Sequence, residues 1–157
     1  VQGRTGVNIK PSTVVELAKH PNITAIKEAS GNISQCAEIA RLVPEDFSIY
    51  SGNDDMITPL LALGGDGVIS VLSNIAPRQT HEIVQKFFDG DIAGAISGQL
   101  KAKPMIDALF AEVNPIPVKA ALDIMGRSKM NFRLPLCDPE ESTMVLLERE
   151  LKAYGIL

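Results

Sequence analysis

The sequence holds 157 residues, enough for one domain with a real core, and its 45% hydrophobic and 22% charged content is that of an ordinary globular chain rather than a disordered one. A net charge of −4, a pI near 5.2 and the lack of any Arg/Lys cluster argue against nucleic acid as a partner, and no apolar run is long enough to span a bilayer. Two lone cysteines, Cys36 and Cys137, and two lone histidines, His20 and His81, fit no metal or redox spacing, which predicts free thiols in a reducing cytoplasm and no metal or other cofactor.

No signal-peptide pattern opens the chain, and Val1 stands where a methionine would. Residues 1–6 read as a loop punctuated by Gly3 and Gly6, entered from a longer polypeptide, with Arg4 as its one charged side chain. Residues 11–19 are predicted as a short helix: Pro11 suits the first turn, Val14, Leu17 and Ala18 share a face, and Pro21 stops it. Residues 23–27 form a predicted buried strand that ends on Lys27 and runs into the polar turn Ala29-Ser-Gly-Asn32. In a strand alternate side chains share a face, so Ala25 and Lys27 point one way while Thr24 and Ile26 point the other.

Asn32 caps a predicted helix over 33–42, with Cys36, Ile39, Ala40 and Val43 as its apolar stripe. A second strand is predicted over 47–51, followed by the polar exit Ser51-Gly-Asn-Asp-Asp55. A helix over 56–63 stops at Gly64-Gly65. A third strand is predicted over 67–71 with its exit at Ser73-Asn74, and Pro77 opens a helix to about Phe88. The unit of short strand, small polar turn and helix therefore occurs three times, and Ser-Gly-Asn itself recurs at 30–32 and 51–53. Such alternation predicts a parallel sheet covered by helices, with all three polar exits on one face at the strand C-termini, where α/β proteins keep their sites.

From about Asp91 the pattern becomes helical only. A long helix is predicted over 91–112, with a possible bend at Gly94 or Pro104, then a break at Asn114-Pro-Ile-Pro-Val118. A helix over 118–125 ends at Gly126. An extended connector over 131–139 precedes a last amphipathic helix over 140–153, with Met144, Leu147 and Leu151 on one side. The chain thus divides into 1–90 and a helical appendage, 91–157.

Lys27 carries the chemistry. By default a strand-terminal lysine snorkels to water. At the C-terminal end of a closed parallel barrel, however, it would face a dry interior, and a desolvated amine can attack a ketone to form an imine. The other motifs read as structural. Gly64-Gly-Asp-Gly67 precedes a strand where a phosphate loop must follow one. Asp54 and Asp55 read as acids at a helix N-terminus, as does Asp138-Pro-Glu-Glu141.

With Lys27 placed, Ile26-Lys-Glu-Ala-Ser-Gly-Asn32 resembles the Schiff-base segment of the dihydrodipicolinate synthase family, among the class I pyruvate-dependent aldolases. The resemblance extends to Gly3-Arg-Thr-Gly6, Ser51-Gly-Asn-Asp54, Gly64-Gly-Asp-Gly-Val-Ile-Ser-Val71 and Asn114-Pro-Ile-Pro-Val-Lys119, in one register from end to end. It implies an α/β fold in which 1–90 is the second half of a TIM (β/α)8 barrel and 91–157 a C-terminal all-helical region.

It also implies a lyase that condenses pyruvate with L-aspartate 4-semialdehyde in diaminopimelate and lysine biosynthesis. Lys27 would form the imine, Arg4 hold a substrate carboxylate, Gly52 offer backbone at the site and Ile69 its carbonyl near the lysine. A cytoplasmic homotetramer is implied as well. A sister enzyme, N-acetylneuraminate lyase, shares the lysine, but Arg4 and the Glu-Ala-Ser-Gly-Asn continuation are more like the synthase.

A barrel of this type takes about 250 residues, so the N-terminal half of the barrel is missing from this chain and becomes an expected partner. With that half go the family's proton-relay threonine and two tyrosines, which Thr5, Thr24 and Tyr50 do not match. Gln2 stands where the family commonly has proline. A non-catalytic half-barrel that binds a partner is the competing expectation.

Overall fold

A computed structural model describes residues 1–157. Three parallel strands, β1 (Ala25–Glu28), β2 (Ser48–Ser51) and β3 (Gly67–Val68), lie in the order β1-β2-β3. Around them run α1 (Gln2–Thr5), α2 (Pro11–Leu17), α3 (Ile33–Leu42), α4 (Ile57–Ala62), α5 (Pro77–Phe88), α6 (Ile92–Leu109), α7 (Ile116–Ile124) and α8 (Glu141–Tyr154). Two short 3-10 turns, Asp54–Met56 and Leu72–Asn74, stand at the exits of β2 and β3.

The register pairs Lys27 with Tyr50 and Tyr50 with Gly67, and Glu28 with Ser51 and Ser51 with Val68. Strand alternation then gives the sheet two unlike faces. On one, Ile49 and Ser51 are buried, and Ile49 joins Val14, Cys36, Ile39, Phe47 and Leu60 in a small core under α2, α3 and α4. On the other, Ala25, Lys27 and Ile69 are exposed and Tyr50 is half-buried. Strands in a fully covered parallel sheet are apolar on both faces. Here the small and polar residues face the uncovered side.

A larger core holds the helices together. Ile57 and Leu61 from α4, Leu72, Ile75 and Ile83 around α5, Met105 and Leu109 from α6, Val118 and Ala121 from α7, and Leu147 and Leu151 from α8 form one cluster. Gln99 of α6 is buried within reach of the β2 exit, where its side chain donates to Asp54 O (2.8 Å) and accepts from Thr58 N (3.3 Å). The elements after Gly90 are therefore packed onto those before it by apolar contact and by two polar ties.

Several boundaries differ from those predicted. The opening segment contains a helical turn, closed by Gly6 in the left-handed region at φ 68°. β1 does not end on Lys27; it continues to Glu28. The third strand is two residues long instead of five. Ile69 N still donates to Ser51 O, but Val71 N and Leu72 N turn away to the carboxylate of Asp54 (2.9 and 3.0 Å). Leu17, expected on the buried face of α2, is exposed while Val14 is fully buried. α7 begins at Ile116, inside the predicted break, because Pro115 and Pro117 sit where a first helical turn tolerates them. Gly64-Gly-Asp-Gly67 serves as the expected helix stop and strand entry: Gly64 has φ 89°, and a side chain on Gly65 would press within 2.9 Å of Leu60 O.

Candidate active site

The site is built where β1 and β2 leave the sheet. Lys27, Tyr50 and Gly67 form one row on the open face. Ala29, Gly52 and Ile69 form the next row toward the strand C-termini, tied by Gly52 N donating to Glu28 O (2.6 Å) and Ile69 N to Ser51 O (2.8 Å). Lys27, Gly52 and Ile69 are thus brought to one face. Gly52 has a steric reason to lack a side chain: a Cβ there would lie 2.6 Å from Ala29 Cβ and 2.9 Å from Lys27 Cε. A bare backbone beside the lysine leaves the amine its space.

The expectation of a dry, enclosed mouth around Lys27 is not met in this chain. The side chain is exposed, and so is Ile69. Three strands cannot curve round to face one another, so nothing covers the amine. Arg4 lies on α1, exposed and without an ion pair. Its segment does reach the site: Gln2 Nε2 donates to Ser30 O (3.1 Å), and Gln2, Asn8, Lys27 and Ser30 border one small cleft. The largest cavity, about 480 Å³, is elsewhere, between α5, α6 and the end of α8.

Two buried acids frame the strand exits, and sequence reasoning gave neither its proper weight. Glu28, beside Lys27 but on the covered face, accepts from Ser30 N (2.9 Å), Ser30 Oγ (2.9 Å), Cys36 Sγ (3.1 Å) and Gln35 Nε2 (3.3 Å). Burial, reinforced by the neighbouring Glu28 carboxylate, pushes the Cys36 thiol up to about 12, so Cys36 donates and does not react. The alternation that placed Lys27 on one face placed Glu28 on the other, beside Ile26, and that was the available signal.

Asp54 is the second acid. It is 1% exposed, it binds Val71 N and Leu72 N, and its other oxygen has no protein partner. Burial raises its carboxyl above the usual range against the opposing pull of Ser70 and the two backbone donors. As the sequence suggested, it opens a helical turn, the 3-10 turn Asp54–Met56 that leads into α4, and it also clamps the exit of β2 to the exit of β3. Asp55 is exposed.

Parallel strands alternating with helices, with a lysine, a bare glycine and two anchoring acids gathered at the strand ends, define an α/β protein with a candidate site at the carboxyl edge of its sheet. The family model for the dihydrodipicolinate synthetase family matches residues 1–154, and the chain belongs to that family. It is 56% identical to the 4-hydroxy-tetrahydrodipicolinate synthase of Caldicellulosiruptor bescii over 99% of this chain and 52% of that protein, and 53% identical to that of Acetivibrio thermocellus over 100% and 53%.

Among solved structures it superposes on dihydrodipicolinate synthase from Thermotoga maritima with a TM-score of 0.98 and 45% identity, covering 100% of this chain and 55% of the other. The chloride-inhibited enzyme from Acinetobacter baumannii, complexed with pyruvate, gives 0.96 and 38%, covering 100% and 54%. The chain spans about half the length of the relatives it matches.

Proposed function

We propose that this chain supplies the imine-forming lysine of a synthase that condenses pyruvate with L-aspartate 4-semialdehyde to 4-hydroxy-tetrahydrodipicolinate, on the way to diaminopimelate and lysine. In this reading residues 1–90 are the last strands and helices of a TIM barrel, residues 91–157 are its helical appendage, and the missing N-terminal half closes the cylinder over Lys27. The observation that carries the reading is the close approach of side-chain-free Gly52 to Lys27 at the carboxyl end of parallel strands. The family match over nearly the whole chain supports it.

The chemistry follows from an amine in that place. Lys27 Nζ adds to the keto carbon of pyruvate, water leaves, and an imine forms. The imine draws electrons from the adjoining methyl, which loses a proton to give an enamine, and the enamine carbon attacks the aldehyde. Arg4 receives a substrate carboxylate, while Gly52 and Ile69 present backbone to the bound keto acid. The pyruvate complex of the Acinetobacter baumannii relative supports pyruvate as the first substrate.

No helix is long and apolar enough to cross a membrane. Ile92, Ile96 and Leu100 are exposed at four-residue spacing along α6, a face suited to a second copy in a homo-oligomer.

Borohydride reduction in the presence of pyruvate tests the reading in the completed barrel. A stable pyruvyl adduct is expected on Lys27 and is expected to vanish in Lys27→Ala. Labelling elsewhere, or none, sinks the proposal. Comparing L-aspartate 4-semialdehyde with N-acetylmannosamine as acceptor separates the synthase from the sialic-acid lyase.

A further inference from the structure

The cavity of about 480 Å³ between α5, α6 and the end of α8 has no part in the chemistry above. Small-molecule sites run from about 300 to 1,000 Å³, so it has room for a ligand. Its walls are two facing helix stripes. Glu82, Ile83 and Lys86 stand at helical spacing on α5, and Gly94, Ser97, Gly98 and Lys101 answer them on α6. A seam between packed helices is ordinarily filled with apolar side chains. Of the side chains that line this one, only Ile83 is aliphatic, and it lies so close to α6 that a Cβ on Gly98 would come within 3.0 Å of Ile83 Cγ1. The want of bulk at Gly94, Ser97 and Gly98 leaves the rest of the space open.

The polar groups around that space lack partners within the chain. Lys86, Lys101 and Glu82 form no ion pair. Lys101 Nζ stands 6.0 Å from the centre of the Tyr154 ring, a cation–π contact. Tyr154 is only 9% exposed and belongs to the larger core, yet its hydroxyl makes no hydrogen bond. A buried tyrosine ordinarily finds a partner for that group. This one borders the cavity, and burial, together with the Glu82 carboxylate, raises its hydroxyl above the ordinary phenol value, so it stays a donor.

Two ammonium groups, a phenol hydroxyl and one carboxylate thus gather around one opening with nothing of the protein to satisfy them. We propose that this seam binds a small hydroxylated dianion, whose negative groups meet Lys86, Lys101 and the Tyr154 hydroxyl while its own hydroxyl donates to Glu82. A phosphate monoester and a hydroxy dicarboxylate share that chemistry. The site uses none of Lys27, Gly52 and Ile69, so it stands whether or not the lysine forms an imine.

Isothermal titration calorimetry on the completed barrel at low ionic strength tests it. The probes are glycerol 3-phosphate and malate, set against ethyl phosphate and succinate, which lack the hydroxyls. A dissociation constant of about 1 mM or below is expected for at least one hydroxylated probe, and the tighter of the two identifies the source of the anion. Lys86→Met and Tyr154→Phe should each weaken that binding ~3- to 10-fold, the effect of about one hydrogen bond or exposed ion pair. Ser97→Leu, at an exposed position, should abolish it by filling the seam. Lys27→Ala should leave it unchanged. If Tyr154→Phe lowers the melting temperature, Lys101→Met takes its place. Binding of neither probe, equal binding of the hydroxyl-free pair, binding that survives the seam substitutions, or binding lost in Lys27→Ala each overturns the proposal, the last by placing the anion at the lysine.

Discussion

A single methyl group decides whether position 52 is compatible with the lysine. Gly52→Ala places a carbon 2.9 Å from Lys27 Cε and 2.6 Å from Ala29 Cβ, so either the amine or the β2 exit must shift. Displacements of about 1 Å cost roughly 100-fold in well-oriented reactions, and a loss of that order is expected in the rate of pyruvate trapping. Rapid-quench borohydride assays measure it.

Cys36 offers a second check at the scale of one residue. Its thiol is held near 12, above the ordinary 9.0, by burial and by Glu28, so it stays protonated in the fold. A pKa raised in the folded state gives stability that is present below the ordinary thiol value and is lost as pH climbs through about 12. Alkylation at mildly basic pH should therefore mark exposed Cys137 at once and Cys36 only after denaturant is added. Mass spectrometry of the labelled peptides distinguishes them.

Among the elements, β3 depends most on one side chain. Its N–H groups beyond Ile69 have no further strand to pair with, and Asp54 accepts two of them instead. Asp54→Ala leaves the buried Leu72 N–H and the half-buried Val71 N–H unpaired, at a cost of about 1–3 kcal/mol, measurable by urea unfolding of the completed barrel. The carboxyl is raised in the fold, so it contributes most when protonated: its share of the stability is present below the ordinary carboxylate pKa and falls as pH rises through the raised value. Asp54→Asn should flatten that part of the stability–pH curve.

The element scale also shows what could be read from the sequence. The shared face of Ala25 and Lys27, the three strand–turn–helix units and the caps at Asn32 and Gly64 were legible because local periodicity and turn chemistry dictate them. β3 was over-extended because Ile69-Ser-Val71 is a good strand in isolation, and its capture by Asp54 is a tertiary event 17 residues away in sequence. Glu28 was passed over because a charged residue beside a lysine reads as solvated surface, and only the burial of the Ile26 face gives it another role.

For the whole molecule, the uncovered face of the sheet governs behaviour. Both outer edges of a three-stranded sheet are unpaired, and Ala25, Lys27 and Ile69 are exposed on its open face. The 157 residues alone are expected to associate or to unfold readily, and to become well behaved when the N-terminal half of the barrel is present. Size-exclusion chromatography and circular dichroism report this directly, and a stable monomer of the chain alone would contradict it. The order and parallel sense of the strands followed from the alternating pattern. The exposure of Lys27 did not, because an interior position needs further strands to face it and this sheet has three.

Gln99 ties this together from an unexpected quarter. Its amide reaches from the middle of α6 to the first residues after the Ser51-Gly-Asn turn, so the rim of the sheet borrows part of its rigidity from a helix far downstream. Clipping the polypeptide at Gly90 would strip the Asp54 carbonyl and the Thr58 amide of their partner and unroof Ile57 and Leu61. A trimmed version that kept every strand and the lysine itself would still have a slack lip beside the candidate site.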